Sequence, residues 1–252
     1  MPTNSITDSR WLPFGEVTHG VPLFLLPPAG GSAALFASWP RVADGSVLPC
    51  PIELPGRGRR LGGRPADDLL ALVAEIDAAC APRDGRPWAV FGHSMGALVA
   101  FAWAARAHQS GRGPVMVYLS GAAPPWSVSV AEPLAALDER ELWAHMVGLG
   151  GVPPALRTTT AARLLAPVMR ADVLAAAGYR VNGPRSVGCP VLVVAGEDDP
   201  VFPVELADAW QAVSVGDFRS RLMPGGHFYR NGLDDLISLV LGDLTARLPV
   251  AR

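Results

Sequence analysis

From Leu23 to Met223 the chain repeats one pattern: a short aliphatic run, a turn rich in glycine or proline, then a longer stretch with helical spacing. The runs Leu23–Leu26, Ile52–Leu54, Trp88–Phe91, Val115–Ser120, Val191–Ala195 and Phe218–Met223 read as strands. Asp67–Cys80 and Met95–Gln109 read as helices between them. Several strands are almost purely apolar, as expected when helices cover both faces of a parallel sheet. Crossovers between parallel strands are right-handed, so the pattern confines the chain to an open, doubly wound, mostly parallel α/β sheet. A length of 252 residues suits a single domain of this kind. The 27 glycines and 25 prolines would hint at disorder in a featureless chain, but here they punctuate apolar runs and read as loops.

The alternation breaks once. From about 124 to 183 there is no convincing strand, only the helical patterns Glu139–Gly148 and Thr160–Ala177, interrupted by Gly150-Gly151 and Pro153-Pro154. A helical insert between two strands reads as a cap or lid over the strand ends, where α/β sheets bind ligands.

Composition removes several functions. All 21 basic residues are arginine, which excludes a Schiff-base lysine, a pyridoxal phosphate anchor and a P-loop lysine. A net charge of −2 argues against nucleic acid. No apolar run is long enough for a membrane span, and the N-terminus lacks the charged and apolar regions of a signal peptide. Cys50, Cys80 and Cys189 are odd in number and widely spaced, which points to buried thiols in a cytoplasmic protein. Neither they nor His19, His93, His108, His145 and His227 have metal-ligand spacing.

Gly92-His93-Ser94-Met95-Gly96 stands between a strand and a helix, the setting of a nucleophile elbow. So tight a turn needs small flanking residues, and it lifts the Ser94 hydroxyl clear of the backbone. A serine needs a base, and the base needs a carboxylate to fix its tautomer. Three histidines follow Ser94. His108 falls in the elbow's own helix and His145 in the helical insert, whereas His227 sits in a Gly-Gly-His loop after a strand, which favours it as base. Glu197, Asp198 and Asp199 follow the strand Val191–Ala195, and Asp199 is favoured because Pro200 fixes its backbone as extended. The oxyanion donors are expected to be the amides of Met95 and Ala29, since Pro27 and Pro28 have no N–H to offer.

These residues, with Leu54-Pro55-Gly56-Arg57-Gly58, Leu149-Gly150-Gly151-Val152-Pro153, Arg170-Ala171-Asp172 and Tyr179, resemble a type II thioesterase from about Trp11 onward. That family consists of stand-alone α/β-hydrolases serving polyketide and nonribosomal peptide synthases. The resemblance implies an acyl-enzyme thioester hydrolase with a Ser94–Asp199–His227 triad, no cofactor and a transient acyl or peptidyl carrier-protein partner. The acyl group would arrive on the carrier's phosphopantetheine arm, and the enzyme would be monomeric. Pro28 departs from the family, which often has histidine there. Arg57, Arg59, Arg60 and Arg64 are candidate contacts for a phosphate or an acidic carrier helix, with a solvated loop as the competing reading. Asp172 and Tyr179 are candidates for substrate contact or for packing within the cap. A small-molecule esterase of the same fold is the alternative activity, and a non-catalytic receptor is a third. The initiating Met1 and the absence of a linker argue against a domain cut from a synthase.

Overall fold

The computed structural model of the chain describes residues 9–15, 17, 20–127, 131–229 and 233–248. His19, counted above among the residues without ligand spacing, lies outside them. Six strands form one sheet: β1 (Val21–Leu26), β2 (Val47–Pro51), β3 (Ala89–His93), β4 (Met116–Ser120), β5 (Val191–Gly196) and β6 (Phe218–Met223). They lie in the order β2-β1-β3-β4-β5-β6, and every pairing is parallel. The chain order reverses between β1 and β3, so their following loops diverge and leave a crevice beyond the strand ends.

Period-two alternation is visible in the core. Phe24, Leu26, Val90, Val117, Leu119, Val191 and Val193 bury against one helical layer, which includes α2 (Leu69–Cys80) and α3 (Met95–Gln109). Leu23, Leu25, Ala89, Phe91, Tyr118, Leu192 and Val194 face the other layer, formed by α1 (Trp39–Val42) and α7 (Leu233–Arg247). Both faces are covered, which is why these strands are largely apolar. Asp68 caps α2 by accepting the Ala71 amide at 2.6 Å, the preferred partnership for an orphan helix donor.

One strand differs from the expectation. The strand is Val47–Pro51, whereas Ile52–Leu54 continues beyond it, with the Ile52 amide donating to Leu25 O at 2.9 Å. Pro49 and Pro51 mask the signal, because proline ordinarily argues against a strand. They are tolerated at the sheet edge: even-numbered residues turn their N–H groups towards β1, and both prolines turn outward.

Between β4 and β5 the described residues are helical or irregular: α4 (Glu132–Ala135), α5 (Glu139–Leu149), a 3-10 turn at Pro154–Leu156 and α6 (Thr159–Gly178). These helices lie within the span 124–183 read as an insert, of which residues 128–130 lie outside the described set. Asp138 and Glu141 form a reciprocal capping box at the start of α5, and Gly150 ends that helix in a left-handed conformation.

Candidate active site

Ser94 holds φ 56° and ψ −120°, a combination that L residues avoid. Its flanks explain how the turn closes. A Cβ on Gly92 would lie 2.0 Å from Gly96 O, and one on Gly96 would lie 2.2 Å from Leu26 O. Both clashes are with backbone, which cannot rotate aside. Gly92→Ala is therefore expected to cost about 3 kcal/mol or more, the upper end of overpacking penalties, measured by chemical unfolding. Gly92 also pairs with Leu26, which sets the end of β1 beside the elbow.

His227 and Asp199 meet through two loops that cross at Gly196. A Cβ there would touch Gly225 O and Gly226 O at 2.5 Å, and the Asp198 amide donates to Gly225 O at 3.1 Å. The His227 Nδ1 lies 2.8 Å from Asp199 Oδ2, and both side chains are almost fully buried. Asp199 Oδ1 accepts the amides of Val201 at 2.8 Å and Phe202 at 3.0 Å, so the carboxylate is oriented at both oxygens. Glu197 and Asp198 are exposed at the same turn, and His108 and His145 are exposed elsewhere. Of the three histidines and three acidic residues weighed in the sequence, the favoured His227 and Asp199 form a buried hydrogen-bonded pair.

Behind this pair runs a chain that sequence reasoning missed. His93 Nδ1 lies 3.0 Å from Ser120 Oγ, Ser120 Oγ lies 2.9 Å from the Tyr229 hydroxyl, and that hydroxyl donates to Val194 O at 3.1 Å. Counting protons fixes every direction: Tyr229 gives its hydrogen to the carbonyl, Ser120 donates to Tyr229, and His93 donates from Nδ1. Burial, followed by the neighbouring His227, holds His93 well below the ordinary histidine value, so it stays neutral. Its ring centre is 4.9 Å from that of His227, and it forms a fixed wall behind it. The visible signal was only the histidine inside the elbow.

Ser94, Met95, Ala29 and His227 line one narrow cavity of about 50 Å³. The insert supplies much of the rest of its wall through Leu134, Met146, Leu149, Val173 and Ala176. Met95 opens α3, so its amide is among those with no helical acceptor. Burial pushes the Cys50 and Cys189 thiols up to about 12, and neither offers a thiolate at neutral pH. No group of three or more metal-ligating side chains occurs among the described residues, and no described helix is long and apolar enough to cross a membrane.

The cap and arginine candidates fall differently. Arg57 is 1% exposed, so it cannot meet a carrier protein as expected from its loop. Its guanidinium forks onto Asp172 of α6, with Nη2 2.8 Å from Oδ1 and Nη1 on Oδ2. Asp172 is likewise 1% exposed, its carboxylate is taken up by that pair and by the Gly30 amide, and it does not line the cavity. Tyr179 is buried at the end of α6, and burial pushes its hydroxyl up to about 12; it packs in the core rather than lining the cavity. Arg60 lies 3.8 Å over the Trp11 ring and donates to Glu53 O at 3.3 Å. Arg59 and Arg64 are exposed.

A parallel sheet with a serine elbow after one strand, an acid after a later strand and a histidine after the last is the layout of the α/β-hydrolases. The chain belongs to the thioesterase family: the family model for the thioesterase domain matches residues 21–244. It is 34% identical to thioesterase PikA5 of Streptomyces venezuelae, over 92% of this chain and 82% of that protein. Among solved structures it is similar to RedJ, a thioesterase from the prodiginine biosynthetic pathway of Streptomyces coelicolor, with TM-score 0.81 and 30% identity over 88% of this chain and 90% of that one. It is also similar to BorB, a type II thioesterase from the borrelidin biosynthetic cluster, with TM-score 0.80 and 28% identity over 91% of this chain and 93% of that one. The chain is a thioester hydrolase of the type II class.

Proposed function

We propose that this thioesterase removes acyl groups from the phosphopantetheine arm of an acyl or peptidyl carrier protein, as an editing or release enzyme of polyketide or nonribosomal peptide synthesis. The observation that carries the proposal is one cavity holding Ser94, His227 and the two candidate amides, walled largely by the helical insert. Relatives named for such pathways supply the carrier-bound substrate class. The insert acts as the lid, and the enzyme works as a cytoplasmic monomer.

The steps follow from the groups present. His227 takes the Ser94 proton at Nε2 while Asp199 holds Nδ1–H, and Ser94 Oγ attacks the thioester carbon. The resulting oxyanion sits against the amides of Ala29 and Met95. Collapse breaks the C–S bond, and His227 returns the proton to the departing thiolate. A water then loses its proton to His227 and attacks the acyl-serine, which releases the acid and restores Ser94. No cofactor enters this sequence.

Initial rates on one acyl group loaded on a carrier protein, on free coenzyme A and as a nitrophenyl ester test the partner. The carrier-bound form is expected to show the highest kcat/KM. A clear preference for the nitrophenyl ester would replace this reading with that of a small-molecule esterase.

A further inference from the structure

Pro27–Ser32 is the loop expected to supply the Ala29 amide; three side chains fix it from outside and one hydrogen bond from within. The Gly30 amide donates to Asp172 Oδ2 at 2.7 Å, across 142 residues of sequence. Arg57 Nη1, already on Asp172, donates also to Gly31 O at 3.2 Å. The Gly31 amide returns to Pro28 O at 2.9 Å. Met169, one helical turn before Asp172 on α6, packs so closely that a Cβ on Gly30 would lie 2.9 Å from its Cε. Gly30 has φ 71°, which also favours glycine at this position.

Pro28 C=O and Ala29 N–H belong to one planar trans peptide, so they point in opposite directions. Holding Pro28 O with the Gly31 amide therefore aims the Ala29 N–H. Gly31 is itself held by Arg57, and the next peptide, carrying the Gly30 N–H, is held by Asp172. We infer that the buried Arg57–Asp172 pair is a positioning device for the oxyanion hole: it ties the lid helix α6 to the Ala29–Gly31 loop, so that the Ala29 amide is set only when the lid helix is seated. Neither residue touches the reacting atoms. A buried ion pair is often no more stabilising than apolar side chains of the same volume, so stability alone gives little reason for its presence. Its bonds to the loop supply another reason. The inference rests on the proposed role of Ala29.

The test compares the wild type with Arg57→Met/Asp172→Leu and Arg57→Met/Asp172→Asn. The first variant fills the space without an acceptor for Gly30, and the second restores that acceptor without charge. With a short acyl N-acetylcysteamine thioester as substrate, the Met/Leu variant is expected to lose about 100-fold in kcat with KM little changed, the scale set by a misplaced oxyanion donor. Its affinity for an alkyl trifluoromethyl ketone, which forms an oxyanion on Ser94, is expected to weaken in parallel. The Met/Asn variant is expected to recover about tenfold of the lost rate. A folded Met/Leu variant with kcat and ketone affinity within threefold of wild type would overturn the inference, as would a Met/Asn variant no faster than Met/Leu. Should Met/Leu fail to fold, Arg57→Lys keeps the charge but cannot fork to both Asp172 and Gly31. It is expected to lose about tenfold in kcat with the same loss of ketone affinity, and an unchanged kcat refutes the latch. Ser94→Ala run alongside separates the two readings: if it still hydrolyses the thioester, the proposed mechanism fails whatever the latch variants do.

Discussion

Ser94→Ala is expected to lower kcat for thioester hydrolysis by about 10⁴-fold or more, because the remaining donors can polarise the thioester but nothing can form the acyl-enzyme. Circular dichroism and the denaturant midpoint should show the fold intact, since Ser94 anchors the elbow through its backbone: its amide donates to Ser120 O at 2.7 Å, and its carbonyl receives the Ala97 amide at 2.9 Å. Ser94→Gly should be equally inactive but more stable by about 1 kcal/mol. Glycine reaches φ 56° and ψ −120° without the strain that a serine bears there, less its larger entropy loss on folding. Urea denaturation of the two variants reads the difference directly. An active Ser94→Ala would remove the acyl-serine from the mechanism, and a glycine variant less stable than the alanine one would remove the strain.

Asp199→Asn should cost about 10³- to 10⁴-fold in kcat with little change in stability. The asparagine oxygen can take over the two amides of Val201 and Phe202 that Asp199 Oδ1 now accepts, so the turn before Phe202 survives. Its NH2 then faces His227 Nδ1, where the carboxylate Oδ2 now lies 2.8 Å away. An NH2 can only donate, so it forces Nδ1 to be the unprotonated nitrogen and moves the hydrogen to Nε2, the atom that receives the Ser94 proton in the proposed mechanism. The enzyme is left with its geometry and the wrong tautomer. The loss should therefore appear in kcat, with a crystal structure or thermal melt nearly superimposable on wild type. A large drop in stability with a modest loss of rate would make Asp199 a structural residue of the turn instead.

The chemistry was more legible in the sequence than the packing around it. The elbow announces itself because strand, tight turn and helix are contiguous, and α3 begins and ends at Met95 and Gln109 as its composition indicates. Asp199 is favoured within its acidic run by the proline beside it, a local backbone effect, and it is the member of that run hydrogen-bonded to His227. β2 was misplaced because its prolines are acceptable only at a sheet edge, and strand order is not a local property. Arg57 was misread for the same reason. An arginine between two glycines looks solvated until an aspartate 115 residues away folds over it. The Ser120–Tyr229 chain is likewise assembled from segments 109 residues apart. Tyr229, held at φ 46°, carries no sequence mark of its conformation.

The two rims of the sheet carry a consequence for how this protein behaves when crowded. Along β2 the outward backbone positions at 49 and 51 are prolines, so that border offers an approaching strand no donor at either place. Along β6 the border carries the exposed Arg221, whose charge opposes docking by a second copy of the same strand, whereas Arg219 is paired with Asp217 and Asp243. A fully parallel apolar sheet is otherwise a ready template for intermolecular β-association while it forms. Here the same prolines that hid β2 from sequence reading act as a guard against amyloid-like growth, at the edge where an exposed row of amides would have invited it.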